Sequence, residues 1–165
     1  MKNLRLFPLE LRRLLQSRLT WLIILLTAAA PAAGLVLYKP ATASTMQSMY
    51  LANPAIAGGM LGGILFGLLA IYELDRASRS RADILIDSVV SPLSMALVRL
   101  SALFTAAVIT LCLTALVWLP ISMRLIGSVF DGVDYALAYL LFMGLALPLG
   151  TLAAAAAYQF TRRAD

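Results

Sequence analysis

Four long apolar runs, with nearly all of the positive charge gathered between alternate pairs of them, constrain this chain more than any other feature. The runs cover residues 19–37, 55–72, 100–119 and 135–160. A bilayer's hydrocarbon core is about 30 Å thick, and a helix that crosses it needs roughly 20 apolar residues. Each run meets or nearly meets that length. Lys2, Arg5, Arg12, Arg13 and Arg18 precede the first run. Arg76, Arg79, Arg81 and Arg99 lie between the second and third, and Arg162 and Arg163 follow the fourth. The two remaining segments hold only Lys39 and Arg124 of the 13 basic residues. Basic residues stay on the cytoplasmic side of short loops, so both termini and the middle loop are expected in the cytoplasm.

Composition excludes the main alternatives. Soluble domains are about a quarter charged, whereas this 165-residue chain is 13% charged and 62% hydrophobic, with a mean hydropathy of +0.91. The net charge of +5 sits in clusters beside the apolar runs, where anionic lipid headgroups and membrane orientation account for it. No soluble basic domain is left to bind nucleic acid. The chain has no His and a single cysteine, Cys112, which removes disulfide scaffolds, zinc sites and haem ligation. Cys112 lies inside an apolar run and is expected to be a small packing residue. The first residues alternate basic and apolar without a small-residue cleavage pattern, so the first span is expected to remain as an anchor. No charge falls deep within a run, so there is no sign of a proton relay or ion path.

The pattern predicts an all-α polytopic membrane protein, one transmembrane domain over 1–165, with spans at about 19–37, 54–72, 93–119 and 135–160 and a cytoplasmic loop over 73–92. Before the first span, Leu4, Phe7, Leu11, Leu14 and Leu15 form one stripe and Arg5, Arg12 and Arg13 fall on another face. Residues 4–17 therefore read as an amphipathic helix lying in the cytoplasmic interface, with Pro8 in its first turn. The alternative is a basic flank that extends the first span. Trp21 sits at the inner interface and Trp118 at the outer one, where Trp is enriched. Pro31 is expected to kink the first span. Residues 38–51 read as a short polar outer segment. Asn53-Pro54 reads as the N-cap and first residue of the second span, and Pro120 as lying just past the third. In the outer loop 122–134, Asp131 and Asp134 read as turn-forming residues rather than a cation site. Pro148, between Gly144 and Gly150, is the expected bend of the long fourth run.

Two stretches carry more than topology. In the second span Gly59, Gly63 and Gly67 repeat every four residues, with Gly58 and Gly62 in parallel. Small residues at that spacing let helix backbones approach closely in lipid. The partner is either a neighbouring span or a second subunit, and a conduit lining is the third possibility. After the second span, Ala82, Leu85, Ile86, Val89 and Val90 make an apolar helical stripe, with Asp83 and Asp87 on the other side. Asp75 with Arg79 and Arg79 with Asp83 are spaced to pair along a helix. This predicts a short amphipathic cytoplasmic helix within 77–91, after which Ser91-Pro92 opens the third span and Arg99 snorkels to the inner interface.

In order and local wording the chain resembles the membrane (permease) subunit of an ABC transporter of the exporter-like, type-two class. Leu9-Glu10-Leu11-Arg12-Arg13-Leu14-Leu15-Gln16-Ser17-Arg18-Leu19-Thr20-Trp21 is similar to the family's elbow helix. Tyr72-Glu73-Leu74-Asp75-Arg76 through Asp87-Ser88-Val89-Val90-Ser91-Pro92-Leu93-Ser94, followed by Arg99, resembles its coupling-helix region. The resemblance covers the whole chain, with one departure: family members usually have six spans per unit and this sequence has four. An amino-terminal piece of a longer permease is the expected explanation, and a shortened member the other.

The resemblance implies two permease subunits, alike or different, forming a conduit in a bacterial plasma membrane, each with a separate ATP-binding subunit beneath it. Arg76, Arg79, Ala82, Asp83, Leu85, Ile86, Asp87, Val89 and Val90 would dock that ATPase. ATP would be bound by the partner and no cofactor or metal by this chain, which lacks the G-x-x-x-x-G-K-[ST] phosphate loop. The chain itself would not be an enzyme. Two rivals stand against this reading. A four-span scaffold or assembly protein needs the glycines but no docking helix. An intramembrane enzyme needs clustered polar or metal-binding groups that are missing here. The cargo and the direction of transport are not legible.

Overall fold

The computed structural model describes residues 3–37, 46–79 and 92–162, and every element among these is helical. Four of its helices are long and apolar enough to cross a bilayer: Arg18–Val36, Tyr50–Arg76, Leu93–Val129 and Gly132–Thr161. The architecture is that of an integral membrane protein. Large apolar side chains such as Leu25, Met60, Ile64, Val108, Leu116 and Leu145 point outward. In water such a surface would drive aggregation, whereas acyl chains solvate it as well as another helix does.

The first helix, α1, spans Asn3–Gln16. Leu14 is buried, and Phe7 and Leu11 pack beside it, while Leu9 faces outward. Pro8 lies inside the helix rather than in its first turn. Ser17, with extended φ −74 and ψ 127, separates α1 from α2 (Arg18–Ala29). A second break follows at Ala30, and α3 (Pro31–Leu37) completes the first span. Pro31 acts as expected: it has no N–H to continue the α2 ladder. The last carbonyls of α2 therefore need other donors. One donor is the Trp118 indole N–H, 2.8 Å from the Ala28 carbonyl. Trp118 is thus a buried residue between spans rather than a member of an exposed interfacial belt.

Two prolines expected at helix boundaries lie inside helices. The second span belongs to α4, Met46–Arg79, which runs through Pro54. The helix therefore begins before Asn53, and residues 46–51 belong to it rather than to an outer loop. The third span belongs to α5, Pro92–Ile126, which runs through Pro120 and takes in residues 122–126. A proline removes one backbone donor, and packing against neighbouring helices and side-chain bonds makes that tolerable inside a membrane. Near Pro120 the Tyr135 hydroxyl donates to the Ala115 carbonyl at 2.6 Å.

A 3-10 turn, Gly127–Val129, ends α5, with Gly127 at φ +67, a conformation that glycine adopts without steric cost. Asp131 is the N-cap of α6 (Gly132–Ala138), where its carboxylate accepts from the Val133 N–H at 2.7 Å. Asp131 and Asp134 are exposed. Tyr139–Met143 forms a π-turn, and α7 (Gly144–Arg162) follows, with Pro148 inside it. The break in α-helical bonding thus falls at the π-turn, where the Gly144 N–H reaches the Tyr139 carbonyl, rather than at Pro148.

The glycine-rich helix α4 lies in the middle of the bundle, between the first span and the fourth. Added side chains would find no room there. A Cβ on Gly59 would meet the Phe142 carbonyl oxygen at 2.6 Å, and one on Gly63 the Ala146 carbonyl oxygen at 3.0 Å. On Gly67 it would meet the Gly150 carbonyl oxygen at 3.2 Å, and on Gly150 the Gly63 backbone. Gly58 faces Pro31 and Met143, and Gly62 faces Thr27 and Leu147. Of the packing partners open from sequence, the structure places neighbouring spans against all five α4 glycines. Some hydroxyls inside the bundle are satisfied locally: those of Thr110, Thr114 and Thr151 donate to carbonyls four residues back at 2.7–2.8 Å, whereas those of Thr20, Thr27 and Tyr139 make no such bond.

Candidate functional site

The features that bear on function gather at one end of the bundle, where α1, the last turns of α4 and the first turns of α5 meet. Each element brings charge to the same level for a local reason. In α1, Glu10 and Arg13 are three apart and pair along the helix, Arg13 Nε lying 2.9 Å from Glu10 Oε2. In α4, Glu73 and Arg76 have the same spacing, with Arg76 Nη1 3.8 Å from Glu73 Oε1. In α5, Arg99 lies just before the apolar run.

Packing of α1 against α5 and beside α4 joins these local pairs into a chain. Arg13 Nη2 donates to Glu73 Oε2 at 2.7 Å, across 60 residues of sequence. Arg99 Nε stands 4.0 Å from Glu10 Oε1. The order is Arg99, Glu10, Arg13, Glu73, Arg76, alternating in sign at every step. Arg13 is its centre, because one guanidinium faces two carboxylates from different elements. A planar guanidinium with five donors in a fixed fork suits this better than the point charge of an ammonium.

The buried member is Glu73, 4% exposed. Its second oxygen, Oε1, makes no hydrogen bond. Beside it is a small open cleft walled by Leu14, Leu74, Ala102 and Leu103 and lined also by Glu10, Arg13 and Arg99. An ionised carboxylate there is tolerable only with a cation in contact. Breaking a buried pair costs roughly 3–5 kcal/mol. Arg13 is about one-third exposed, and solvent screening reduces that figure to about 1–3 kcal/mol. Further along the same end, the Tyr158 hydroxyl of α7 reaches Asp75 Oδ1 at 3.4 Å. The Trp21 indole N–H donates to the Leu15 carbonyl at 2.7 Å and so caps the last turn of α1.

Above this layer rise the two stems of the middle segment. From Glu73 to the end of α4, and from Arg99 back to the start of α5, the helices continue for about 10 Å. Of the docking residues read from sequence, Arg76 is half-exposed and pairs with Glu73, and the backbone of Arg79 ends α4. Ala82, Asp83, Leu85, Ile86, Asp87, Val89 and Val90 lie outside the described residues, as does the helix expected over 77–91 beyond Arg79.

Sequence reasoning missed the ionic chain. It placed Arg13 on the solvent face of α1, whereas the structure turns Arg13 toward Glu73. It assigned Arg99 to the interface, whereas Arg99 approaches Glu10. The available signal was the pair of opposite charges three apart in both segments, at the same depth by hydropathy. Among the described residues no group of His, Cys, Asp and Glu is arranged to hold a metal. Cys112 is exposed on the outer face of α5 rather than packed inside. No protein-family model matches the chain, and neither a curated protein nor a solved structure is detectably similar to it.

Proposed function

We propose that this chain is the membrane subunit of an ATP-driven transporter of the exporter-like ABC class, with both termini and the 80–91 segment in the cytoplasm. The observation that carries the reading is the arginine-rich end. A short amphipathic helix lies there against two long helices, and the sequence that joins those helices places Ala82, Leu85, Ile86, Val89 and Val90 at the spacing of a helical stripe, with Asp83 and Asp87 off it. Such a segment suits a groove in a partner protein, where its apolar face is buried and its charges stay at the rim. In this reading the partner is a separate ATP-binding subunit, and its ATP-driven closure moves the stems and hence the spans. A second permease subunit completes the conduit. The chain performs no covalent step. It holds the membrane-crossing path and converts a push at the 80–91 segment into helix movement.

The test is purification of the tagged chain in mild detergent from its native host, with mass spectrometry of what accompanies it. An ATP-binding cassette protein in near-equal amount is expected, and Leu85→Asp with Ile86→Asp should remove it while leaving the permease in the membrane. Retention of the ATPase by that double variant would overturn the docking assignment. Absence of any ATPase from the unaltered protein would favour the four-span scaffold.

A further inference from the structure

We infer that the Arg99–Glu10–Arg13–Glu73–Arg76 chain is an ionic latch that fastens α1 to both stems of the middle segment, so that the three move as one body. The members come from three sides of the junction: Glu10 and Arg13 from α1, Glu73 and Arg76 from the descending stem, and Arg99 from the ascending one. Across these contacts Arg13 alone faces carboxylates of two elements, at 2.9 and 2.7 Å. Without Arg13, the buried Glu73 carboxylate would keep only the half-exposed Arg76 in contact, with Arg99 and Glu10 lining the same cleft. Loss of the Arg13 pair would leave the buried Glu73 carboxylate to draw in water, which spreads the junction.

Among the described residues, α1 packs little against α4 elsewhere. It is followed by a break at Ser17, and its remaining contacts are mainly with α5 and α2. The latch thus supplies what apolar packing does not, a fixed spacing between the descending stem and the helix pair α1–α5. Glu10, Arg13, Glu73 and Arg99 act as positioning residues. The mechanical consequence rests on the transporter reading above. A partner pressing on the 80–91 segment would move α1 together with both stems rather than bend one stem alone.

The latch itself is testable on the chain without any partner, by electron-spin distance measurement in lipid nanodiscs. In a Cys112→Ala background, spin labels go on the outward-facing positions Leu9 of α1, Leu68 of α4 and Leu93 of α5. The Leu9–Leu68 and Leu9–Leu93 distances are expected to be narrow in the unaltered latch. Glu73→Gln and Arg13→Gln should each at least double the width of the Leu9–Leu68 distribution. Inverting four of the five charges, with Glu10→Arg, Arg13→Glu, Glu73→Arg and Arg99→Glu, and neutralising the fifth with Arg76→Gln so that no like charge stands beside position 73, should restore the narrow distribution.

A label pair at Met60 and Leu145, remote from the latch, reports whether each variant retains the bundle. Should a glutamine variant lose it, Arg13→Lys retains the charge but not the rigid fork that holds two carboxylates at fixed spacing, and should broaden the same distribution. Narrow Leu9–Leu68 distances in the folded single variants, or a broad distribution in the inverted one, would overturn the latch. Neither result depends on an ATPase, so failure of the latch and failure of the transporter reading are separable.

Discussion

At Gly150 and Gly63 the backbones of α7 and α4 come so close that a methyl group on either would press on a carbonyl of the facing helix. Backbone cannot swing aside as the tip of a flexible side chain can, so the cost of a larger residue is a shift of one helix against the other. Overpacking of this kind typically costs about 1–3 kcal/mol. Gly150→Val is expected to lower the thermal midpoint in detergent by several degrees and to broaden the size-exclusion peak. Gly132→Ala is the matched control: the nearest atom to its added Cβ is 4.0 Å away, and the midpoint should be nearly unmoved. Trp118 is a second residue at which one atom matters. Its N–H meets an Ala28 carbonyl near the break before Pro31. Trp118→Phe keeps most of the ring and loses that donor, which should cost about 1 kcal/mol. A Trp118→Phe protein with the unaltered midpoint would show that another donor takes over.

Among the elements, α5 shows most clearly how a membrane helix distributes its faces. Leu103, Ala106, Ala107, Thr110, Thr114 and Trp118 face the bundle, while Val108, Cys112 and Leu116 line the opposite side at four-residue spacing. Cys112 should therefore react in native membranes with a lipid-soluble maleimide and resist a charged, membrane-impermeant one added to either side. Cys112→Ala should change stability by less than about 0.5 kcal/mol, as surface substitutions do. Such a helix is only half legible from sequence. Hydropathy finds the four spans because burial in lipid is a property of each segment alone. Pro31 was legible as a break because a missing N–H is likewise a property of one residue. Asn53-Pro54 and Pro120 misled because a cap signal describes a helix in water, whereas in the bundle α4 and α5 run through their prolines. The latch was legible only as two local charge pairs. Its decisive bond joins Arg13 to Glu73 over 60 residues, and no spacing rule encodes a contact that depends on how α1 packs.

For the whole molecule, the expected orientation follows from where the arginines lie relative to the latch. α1, the end of α4, the start of α5 and the end of α7 all reach the same end of the bundle, and 11 of the 13 basic residues belong to the segments at that end. Moving many cationic side chains across a bilayer against the membrane potential is costly, and short basic loops are the ones retained inside. Acidic residues contribute little to this rule, so the latch carboxylates do not cancel its arginines. A green fluorescent protein fused after Asp165 should therefore fluoresce, and alkaline phosphatase at the same point should be inactive. Phosphatase inserted after Gly127, in the turn at the far end of α5, should be active. The inverted latch is the stringent case. It exchanges two arginines for two glutamates and two glutamates for two arginines and neutralises Arg76, which leaves the positive bias of that end nearly unchanged, so the fusion pattern should be the same as in the unaltered protein. A reversed pattern in the inverted protein alone would mean that individual arginine positions, rather than their sum, set the orientation.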